Sequence, residues 1–235
     1  MGTERFVTET IRSREKLRAL VRVRGNHKDA EDEILNMLIE SGAVLQGHFK
    51  LESGQHSSVL LRFASVAGRK KYIESIASWL IADLKNGRVK FDAVLMPEQA
   101  GQCLGETIAA RLGKRMIFVE TDDCNRPIMK LINDTTLYRG DRVLVVSDLS
   151  TSGSGLRTMT NLVREKRGSP VAVAIFATRN SEEISNFECD ERIKVYAIAD
   201  LAFEQMTYGQ PGTDVDQAEC EECLKNKPQV ESWEV

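Results

Sequence analysis

One stretch combines residue types that suit phosphate binding: residues 142–158, RVLVVSDLSTSGSGLRT. The aliphatic run at 143–146 predicts a buried parallel strand, with Asp148 where that strand ends. A loop of hydroxyls and glycines follows at 150–155, and a helical pattern begins near Leu156. Glycines let a ligand approach the backbone, and a helix N-terminus favours an anion. The stretch therefore predicts a phosphate site between a strand and a helix.

The spacing of this loop excludes the two commonest phosphate motifs. It contains no Gly-x4-Gly-Lys-Ser/Thr, and no Gly-x-Gly-x-x-Gly. An acid ahead of the hydroxyls would repel a phosphate, so we expect Asp148 to face ribose hydroxyls while the loop holds a 5-phosphate. The alternative is an ordinary polar turn, because loops between a buried strand and a helix are often rich in Ser and Thr.

The residues VLVVSDLSTSGSG resemble the phosphoribosyl-diphosphate (PRPP) signature of type I phosphoribosyltransferases, with Thr151-Ser152-Gly153 where Thr-Thr-Gly is usual. Ser147 stands where the family has the first of two acids. The resemblance implies an α/β fold, with a central parallel sheet flanked by helices and a small N-terminal hood. It makes Asp148 the catalytic residue, which holds the ribose and stabilises its positive charge. The implied 5-phosphate ligands are Thr151, Ser152, Gly153, Ser154 and Gly155.

A second motif lies at residues 47–57, GHFKLESGQHS, where alternation at Phe49 and Leu51 predicts a strand entering a Ser-Gly turn. By itself the pattern indicates a hairpin. It also resembles the N-terminal hood of orotate phosphoribosyltransferases, which covers the active site and helps to hold the base. The resemblance therefore points to the orotate branch and makes Ser53 and Gly54 base-binding residues.

A second special loop is predicted at 97–101, between a buried strand at 91–96 and a helix through Leu112, with the next strand at 115–120. Ligands of open α/β sheets bind at the carboxyl ends of the strands, where this loop lies. Its position matches the pyrophosphate loop of the family, although an ordinary strand-to-helix connection has the same pattern. The resemblance implies pyrophosphate binding by Glu98, Gln99, Ala100 and Gly101.

Residues 122–140 are polar, and we predict an irregular, mobile flap there. The corresponding family segment carries basic residues that close over the pyrophosphate. Glu120-Thr121-Asp122-Asp123 stands where the family usually has a basic residue among acids, so Arg126 and Lys130 are the cations expected to reach the phosphates. This segment is the largest departure from the family.

A further buried strand is predicted at 171–177, followed by Thr178 and Arg179. The family has an arginine at this strand end that contacts the carboxylate of orotate, and Arg179 matches it. A planar guanidinium suits a bidentate contact with a carboxylate. Without the resemblance, a solvated arginine at a strand end would be an equally good interpretation.

The chain has 235 residues, which is enough for one sizeable α/β domain with a satellite element. Its net charge is −3. The balanced charge argues against a nucleic-acid surface. No apolar run approaches the roughly 20 residues that span a bilayer, and the charged N-terminus does not suit a secretory signal, so we expect a cytoplasmic protein. The predicted division is a basic N-terminal extension at 1–28, a hood at 29–66, a phosphoribosyltransferase core at 67–205 and a tail at 206–235.

Helices are predicted at 29–41 and 72–84, and a final strand at 194–200. The extension at 1–28 is interpreted as an interface helix outside the core, ended by Gly25-Asn26, or as a poorly ordered arm. The five cysteines are odd in number and irregular in spacing, which does not suit a disulfide framework. Cys220 and Cys223 form one C-x-x-C, which supplies two zinc ligands but not four, and the sequence reveals no matching pair of ligands.

The implied reaction transfers the phosphoribosyl group of PRPP to orotate, with release of pyrophosphate, in pyrimidine biosynthesis. The implied cofactor is Mg²⁺, held through substrate and water and not directly by side chains, and the implied assembly is a homodimer. Two alternatives stay open. One is transfer to another base, which the altered acid at Ser147 and the altered flap favour. The other is a non-catalytic PRPP-binding module.

Overall fold

The computed structural model describes residues 8–50, 56–98, 101–122, 126–132, 136–202, 205–206 and 230–231. Their contacts divide the chain into two compact units. The larger unit takes its residues from 22–31 and 67–201, and the smaller unit from 1–21, 32–66 and 202–235. The predicted domain boundaries at 28, 66 and 205 remain predictions.

The larger unit is an α/β structure built on a seven-stranded sheet. Its strands are β2 (Val21–Val23), β5 (Ala93–Pro97), β6 (Arg115–Thr121), β7 (Pro127–Leu131), β8 (Arg142–Ser150), β9 (Ser169–Thr178) and β10 (Lys194–Leu201). Its helices are a 3-10 helix (Gly25–Ala30), α4 (Lys70–Asn86), α5 (Gln102–Leu112), α6 (Ser154–Glu165) and α7 (Ser181–Glu191). The strand order is β2-β10-β9-β8-β5-β6-β7.

The central strands β10, β9, β8, β5 and β6 pair in parallel, as predicted. Strand β8 is longer than the aliphatic run, so Asp148 lies two residues before its end at Ser150. The strand predicted from Phe91 begins two residues later, at Ala93, and Asp92 beside it accepts hydrogen bonds from the Arg142 side chain. Helix α6 buries the predicted face, which consists of Leu156, Met159, Leu162 and Val163. The α/β architecture with a mostly parallel central sheet is thus confirmed.

The smaller unit contains a mostly antiparallel sheet that fits the predicted hood, in which β12 alone among the described strands pairs in parallel. Its strands are β1 (Glu9–Thr10), β3 (Val44–Lys50), β4 (His56–Leu61), β11 (Gln205–Met206) and β12 (Val230–Glu231). Its helices are α1 (Arg14–Leu20), α2 (Glu31–Ser41, beginning in the larger unit) and α3 (Phe63–Ala67, ending in it). The fully buried Phe49 packs with Leu45 and Leu60 in the core of this sheet.

Two segments differ from the sequence prediction. In the predicted extension, helix α1 ends at Leu20, and β2 then joins the edge of the seven-stranded sheet beside β10. Val21 and Val23 are buried there while Arg22 is exposed, an alternation too short to identify from sequence. The predicted irregular flap contains strand β7, which pairs antiparallel with β6. Pairing with β6 provides acceptors for the backbone of this polar segment, which explains why it is regular.

Candidate active site

The chain order of the strands creates a switch point between β5 and β8. After β5 the chain adds β6 on one side, and it then adds β8 and β9 on the other. The loops that leave β5 and β8 therefore diverge at the same edge of the sheet, where open α/β sheets bind ligands. Both loops that the sequence singled out, 97–101 and 150–155, lie at this edge.

The end of the first loop packs against strand β8. A Cβ atom added to Gly101 would lie 3.0 Å from the Ser147 Cα and 3.1 Å from the Pro97 Cδ. Glu98 begins the first loop and donates its backbone N–H to the Val119 carbonyl at 3.1 Å. Gln99 and Ala100 lie outside the described residues. The absence of a side chain at Gly101 is thus what lets the predicted pyrophosphate loop approach the backbone of β8.

The carboxylate of Asp148 is partly shielded from bulk water. Its side chain is half-buried, and the Ser147 hydroxyl lies 3.3 Å from its Oδ1. Burial raises the pKa of Asp148, while backbone N–H groups of Leu149 and Asp148 and the Ser147 hydroxyl oppose that rise. Such a group interacts strongly with a positive charge that develops beside it, because the surroundings screen it weakly.

The 150–155 loop turns through a left-handed glycine into helix α6. Gly153 has φ 73° and precedes the first helical residue, Ser154. Ser152 and Ser154 are exposed, and their hydroxyls lie 3.0 Å apart. The first hydrogen bond of the helix runs from the Arg157 N–H to the Gly153 carbonyl. The N–H groups of Gly155 and Leu156 lie before that bond, in the first turn of the helix. Together the hydroxyls and amides form a donor-rich turn that suits a phosphate.

The nearest cation of helix α6 is already paired. Arg157 donates to Asp190 at 2.7 Å and to Glu191 at 2.9 Å, and these acids raise its pKa. Anion binding at the turn therefore falls to hydroxyls and backbone amides.

Arg179 lies directly beside the end of β8. Its backbone N–H donates to the Ser150 carbonyl at 2.9 Å, and Thr178 Oγ1 donates to the same oxygen at 3.2 Å. Asn180 then caps helix α7, accepting from the backbone N–H groups of Glu182 and Glu183. The end of β9 is thus fixed to the end of β8, which keeps Arg179 near the 150–155 loop. From the sequence, Thr178 had no assigned role and the cap at Asn180 was missed, although an Asn directly ahead of acids is a recognisable helix start.

Both predicted flap cations form ion pairs on the β6–β7 hairpin. Arg126 contacts Asp122 at 2.7 Å, and Lys130 contacts Glu120 at 2.8 Å. A Cβ atom added to Gly155 would lie 3.4 Å from the Cδ of Pro127, so Pro127, next to Arg126, lies against the turn. The hairpin therefore brings Arg126 close to the 150–155 loop, while Lys130 lies further along the strand.

The polar groups at this edge of the sheet can be compared with the ligands that Mg²⁺, the metal implied by the resemblance, prefers. Asp148 is the one acid of the β8 loop, and the other groups there are hydroxyls and backbone amides. Among the described residues, no cluster combines three or more His, Cys, Asp or Glu side chains. Such a set suits Mg²⁺ that keeps its water and arrives on phosphate oxygens, and it does not suit a cage made by protein alone.

The predicted base-binding residues Ser53 and Gly54 lie outside the described residues. The structure thus brings together, within the larger unit, the described parts of the two loops, the strand-end arginine and the flap hairpin. None of the helices in the described part of the chain is long and apolar enough to cross a membrane.

Comparison with known proteins assigns the class. The phosphoribosyl transferase domain family matches residues 66–205, more than half of the chain. The chain therefore belongs to the phosphoribosyltransferase family.

Curated relatives refine the assignment to a branch. An orotate phosphoribosyltransferase of Caldicellulosiruptor bescii is 34% identical over 154 residues, covering 66% of this chain and 78% of the relative. That of Sulfurimonas denitrificans is 30% identical over 179 residues, covering 73% and 87%. The chain thus falls in the orotate phosphoribosyltransferase branch. The crystal structure of the Aeropyrum pernix orotate phosphoribosyltransferase has the same fold, with a TM-score of 0.58, 21% identity and coverage of 70% of this chain and 92% of that one.

Proposed function

We propose that the protein is an orotate phosphoribosyltransferase, which transfers the phosphoribosyl group of PRPP to orotate and releases pyrophosphate. The observation that carries the proposal is the contact between Gly101 and Ser147 at the switch point of the sheet. This contact places the loop proposed to bind pyrophosphate against strand β8, which leads into the loop proposed to bind the ribose 5-phosphate. The curated relatives support orotate as the base, because those listed above carry that name.

The 5-phosphate of PRPP would bind at the N-terminus of α6. Thr151, Ser152 and Ser154 supply hydroxyls there, and Gly153 and Gly155 leave room for phosphate oxygens near the backbone. The dipole of a 12-residue helix adds to the attraction. Binding of the 5-phosphate at this turn would fix the ribose with its C1 near Asp148.

At C1 the bond to the pyrophosphate oxygen breaks while a bond to the base nitrogen forms. Positive charge develops on the ribose ring, and the half-buried carboxylate of Asp148 would stabilise it while accepting hydrogen bonds from the ribose hydroxyls. Gln99, Ala100 and Gly101 would bind the leaving pyrophosphate through their backbone, with Glu98 at the entrance of the loop. Mg²⁺, when bound to PRPP, would neutralise charge on the pyrophosphate.

Two flap cations would reach the pyrophosphate by exchanging partners. The Arg126 and Lys130 pairs are partly exposed, and exposed ion pairs contribute little, so a polyanion competes well with Asp122 and Glu120. Arg179 would hold the carboxylate of orotate, and Ser53 and Gly54 would contact the base from the hood. The homodimer and the cytoplasmic location are proposed on the family resemblance.

Pyrophosphate release from PRPP tests this proposal, with Mg²⁺ and with orotate or a panel of other bases. Release that requires orotate is the expected result. Release with a different base alone would contradict the choice of orotate.

A second candidate is a PRPP-binding module without catalysis. Two observations favour it: Ser147 replaces an acid of the family signature, and both flap cations are bound to acids of their own hairpin. Calorimetric binding of PRPP without pyrophosphate release from any base would favour this candidate.

A further inference from the structure

A cavity of about 610 Å³ opens along strand β10 in the larger unit. Its lining residues belong to 22–28 and 194–200, together with Asp83 of α4, so it lies within one compact unit. The loops proposed to bind PRPP leave β5 and β8 instead. The family match begins at residue 66, so the segment 22–28 lies outside it. That segment has no role in the proposed reaction, yet it closes a cavity.

The cavity lies mainly on the face of β10 that is opposite to helix α6. Val195 and Ala197 belong to the core cluster that contains the buried face of α6. Side chains alternate along a strand, so Tyr196 lies on the other face. A Cβ atom added to Gly87, at the end of α4, would collide with the Tyr196 hydroxyl. A ligand in the cavity would therefore be separated by the sheet from the 150–155 turn, which leads into α6.

A buried pair fixes one wall of the cavity. His27 Nε2 lies 2.8 Å from Asp83 Oδ2, and the two side chains are only 5% and 8% exposed. The pair joins the 3-10 helix (Gly25–Ala30) to α4. Burial, and then the charge of Asp83, raise the pKa of the Tyr196 hydroxyl, so this pair lies beside Tyr196. Because breaking a buried pair leaves an uncompensated group, we expect the wall to be formed before any ligand binds.

Both acids that line the cavity are already paired. Asp83 is held by His27, and Asp200 accepts hydrogen bonds from Arg24 Nη2 at 2.8 Å and from Arg24 Nε at 3.1 Å. The other charged residues of the lining are all basic. The cavity therefore favours an anion.

Two lysines lie towards the same end of this cavity. After β2, the backbone N–H of Arg24 donates to the Ile198 carbonyl at 2.9 Å, and the chain then reaches the buried pair beside Tyr196. The segment thus runs back along β10 towards its first residue, Lys194. Lys28 directly follows the buried histidine, and both lysines line the cavity.

Neither lysine is held by an acid of the cavity wall. Lys28 Nζ lies 3.4 Å from Glu31 Oε2 in a long pair whose lysine is 60% exposed, and such a pair competes weakly with a ligand. Lys194 Nζ lies 5.2 Å from the centroid of the Tyr196 ring, which is a cation–π contact. Two ammonium groups at one end of a cavity suit a phosphate group, which lysine binds as a point charge.

The size of the cavity suits a ligand larger than one phosphate. Its volume lies within the ~300–1,000 Å³ of typical small-molecule sites. From Lys194 to Asp200, strand β10 extends along it for about 20 Å at ~3.3 Å per residue. The amide of Asn26, which also lines the cavity, can both donate and accept a hydrogen bond. These features fit an extended molecule with a phosphate at one end.

We propose that this cavity is a second ligand site, which binds a phosphorylated small molecule of nucleotide size. Its phosphate would lie between Lys28 and Lys194, and the rest of the molecule would extend along β10 towards Arg24. The site goes beyond the proposed transferase activity and does not depend on it. Because the two sites lie on different faces of the sheet, they can be occupied together.

Lysine footprinting of the unmodified, full-length protein is the first test. Acetylation followed by mass spectrometry measures the reactivity of each lysine, in the presence of ATP, UMP or inorganic phosphate. ATP or UMP is expected to protect Lys28 and Lys194 several-fold, while the exposed Lys70 and Lys166 react as before. Unchanged reactivity of Lys28 and Lys194 with every probe would overturn the proposal. Equal protection by inorganic phosphate at the same concentration would contradict a ligand of nucleotide size.

Calorimetry with the protecting nucleotide separates the two sites. Lys28→Ala/Lys194→Ala should raise its Kd at least about tenfold, since each lysine would make a charge-assisted contact. Lys70→Ala/Lys166→Ala is the matched control and should leave the Kd unchanged. Ser152→Ala/Ser154→Ala, which alters the proposed 5-phosphate turn, should also leave it unchanged. A Kd that rises in the serine variant and not in Lys28→Ala/Lys194→Ala would assign the binding to the turn and overturn the second site.

Discussion

Gly101 approaches Ser147 so closely that a methyl group on the glycine would lie 3.0 Å from the serine Cα. Its φ of −85° suits any residue, so the restriction is steric and does not come from the backbone conformation. Gly101→Ala should therefore push the 97–101 loop away from strand β8. We expect a destabilisation of about 1–3 kcal/mol, typical of overpacking, together with a raised KM for PRPP.

Chemical denaturation and PRPP kinetics measure the two effects. Gly25→Ala is the matched control, because a Cβ there meets nothing within 4 Å. If Gly101→Ala behaved like Gly25→Ala in both measurements, the contact would have no role in substrate binding.

Replacing the carboxylate of Asp148 tests its catalytic role. Asp148→Asn keeps the shape but removes the charge that would face the ribose, so kcat for pyrophosphate release should fall by about 10²–10³, typical for the loss of one electrostatic contact to a transition state. The exposed acid Asp29 provides the control, and Asp29→Asn should retain full activity. Full activity of Asp148→Asn would contradict the site assignment.

The same substitution should stabilise the fold at neutral pH. Because burial raises the pKa of Asp148, the folded protein holds that proton more tightly than the unfolded chain does. Stability is thus lost as the pH rises from about 3.9, the ordinary pKa of Asp, through the raised value. The neutral Asn escapes this loss. Thermal unfolding should give nearly the same Tm for Asp148→Asn and the unchanged protein near pH 4, and a higher Tm for Asp148→Asn at pH 7. Asp29→Asn should show no such trend.

Arg126→Ala and Lys130→Ala separate binding from stability. Their ion pairs are partly exposed, so each variant should lose no more than about 1 kcal/mol of stability. If the flap cations hold pyrophosphate, the KM for PRPP should rise clearly more in these variants than in a control variant that opens an ion pair away from the site. Lys70→Ala, which opens an exposed pair with Glu74 on α4, is the control. A KM equal to that of the control would remove both cations from the site.

Arg179→Ala should act on orotate and spare PRPP. A charge-assisted contact with a carboxylate contributes about 1.5–3 kcal/mol, so the KM for orotate should rise by roughly 10–100-fold. The PRPP affinity should stay nearly constant. The exposed Arg22 on β2 supplies a matched Arg→Ala control. If the KM for orotate did not change, another group would have to hold the carboxylate.

The parts of the fold that could be predicted are those where one local signal dominates. The aliphatic run at 143–146 predicted strand β8, because burial on both faces leaves a continuous apolar run, and the helical spacing of apolar residues predicted α6. Strand β2 could not be predicted, since three residues carry too short an alternation to outweigh the charges around them. Strand β7 was missed because its polar residues are held by pairing with β6, a long-range contact.

The candidate site shows the same limit. Asp148 and the hydroxyl–glycine turn were visible because the motif is continuous in sequence. The contact of Pro127 with the turn was not, because it depends on how the β6–β7 hairpin packs. The hydrogen bond between His48 and His56 was not visible for the same reason, because it depends on the register shift of β3 against β4 between Gln46 and Phe49.

The sheet of the smaller unit draws strands from both ends of the chain, since β1 pairs with β3 near Thr10 and β12 pairs with β3 near Val230. Almost all of the larger unit is made from residues between them. On the ribosome, the parallel sheet can therefore be completed while the last strands of the other sheet are still inside the exit tunnel. The sheet of the smaller unit then forms late, because strands distant in sequence must meet before it can pair.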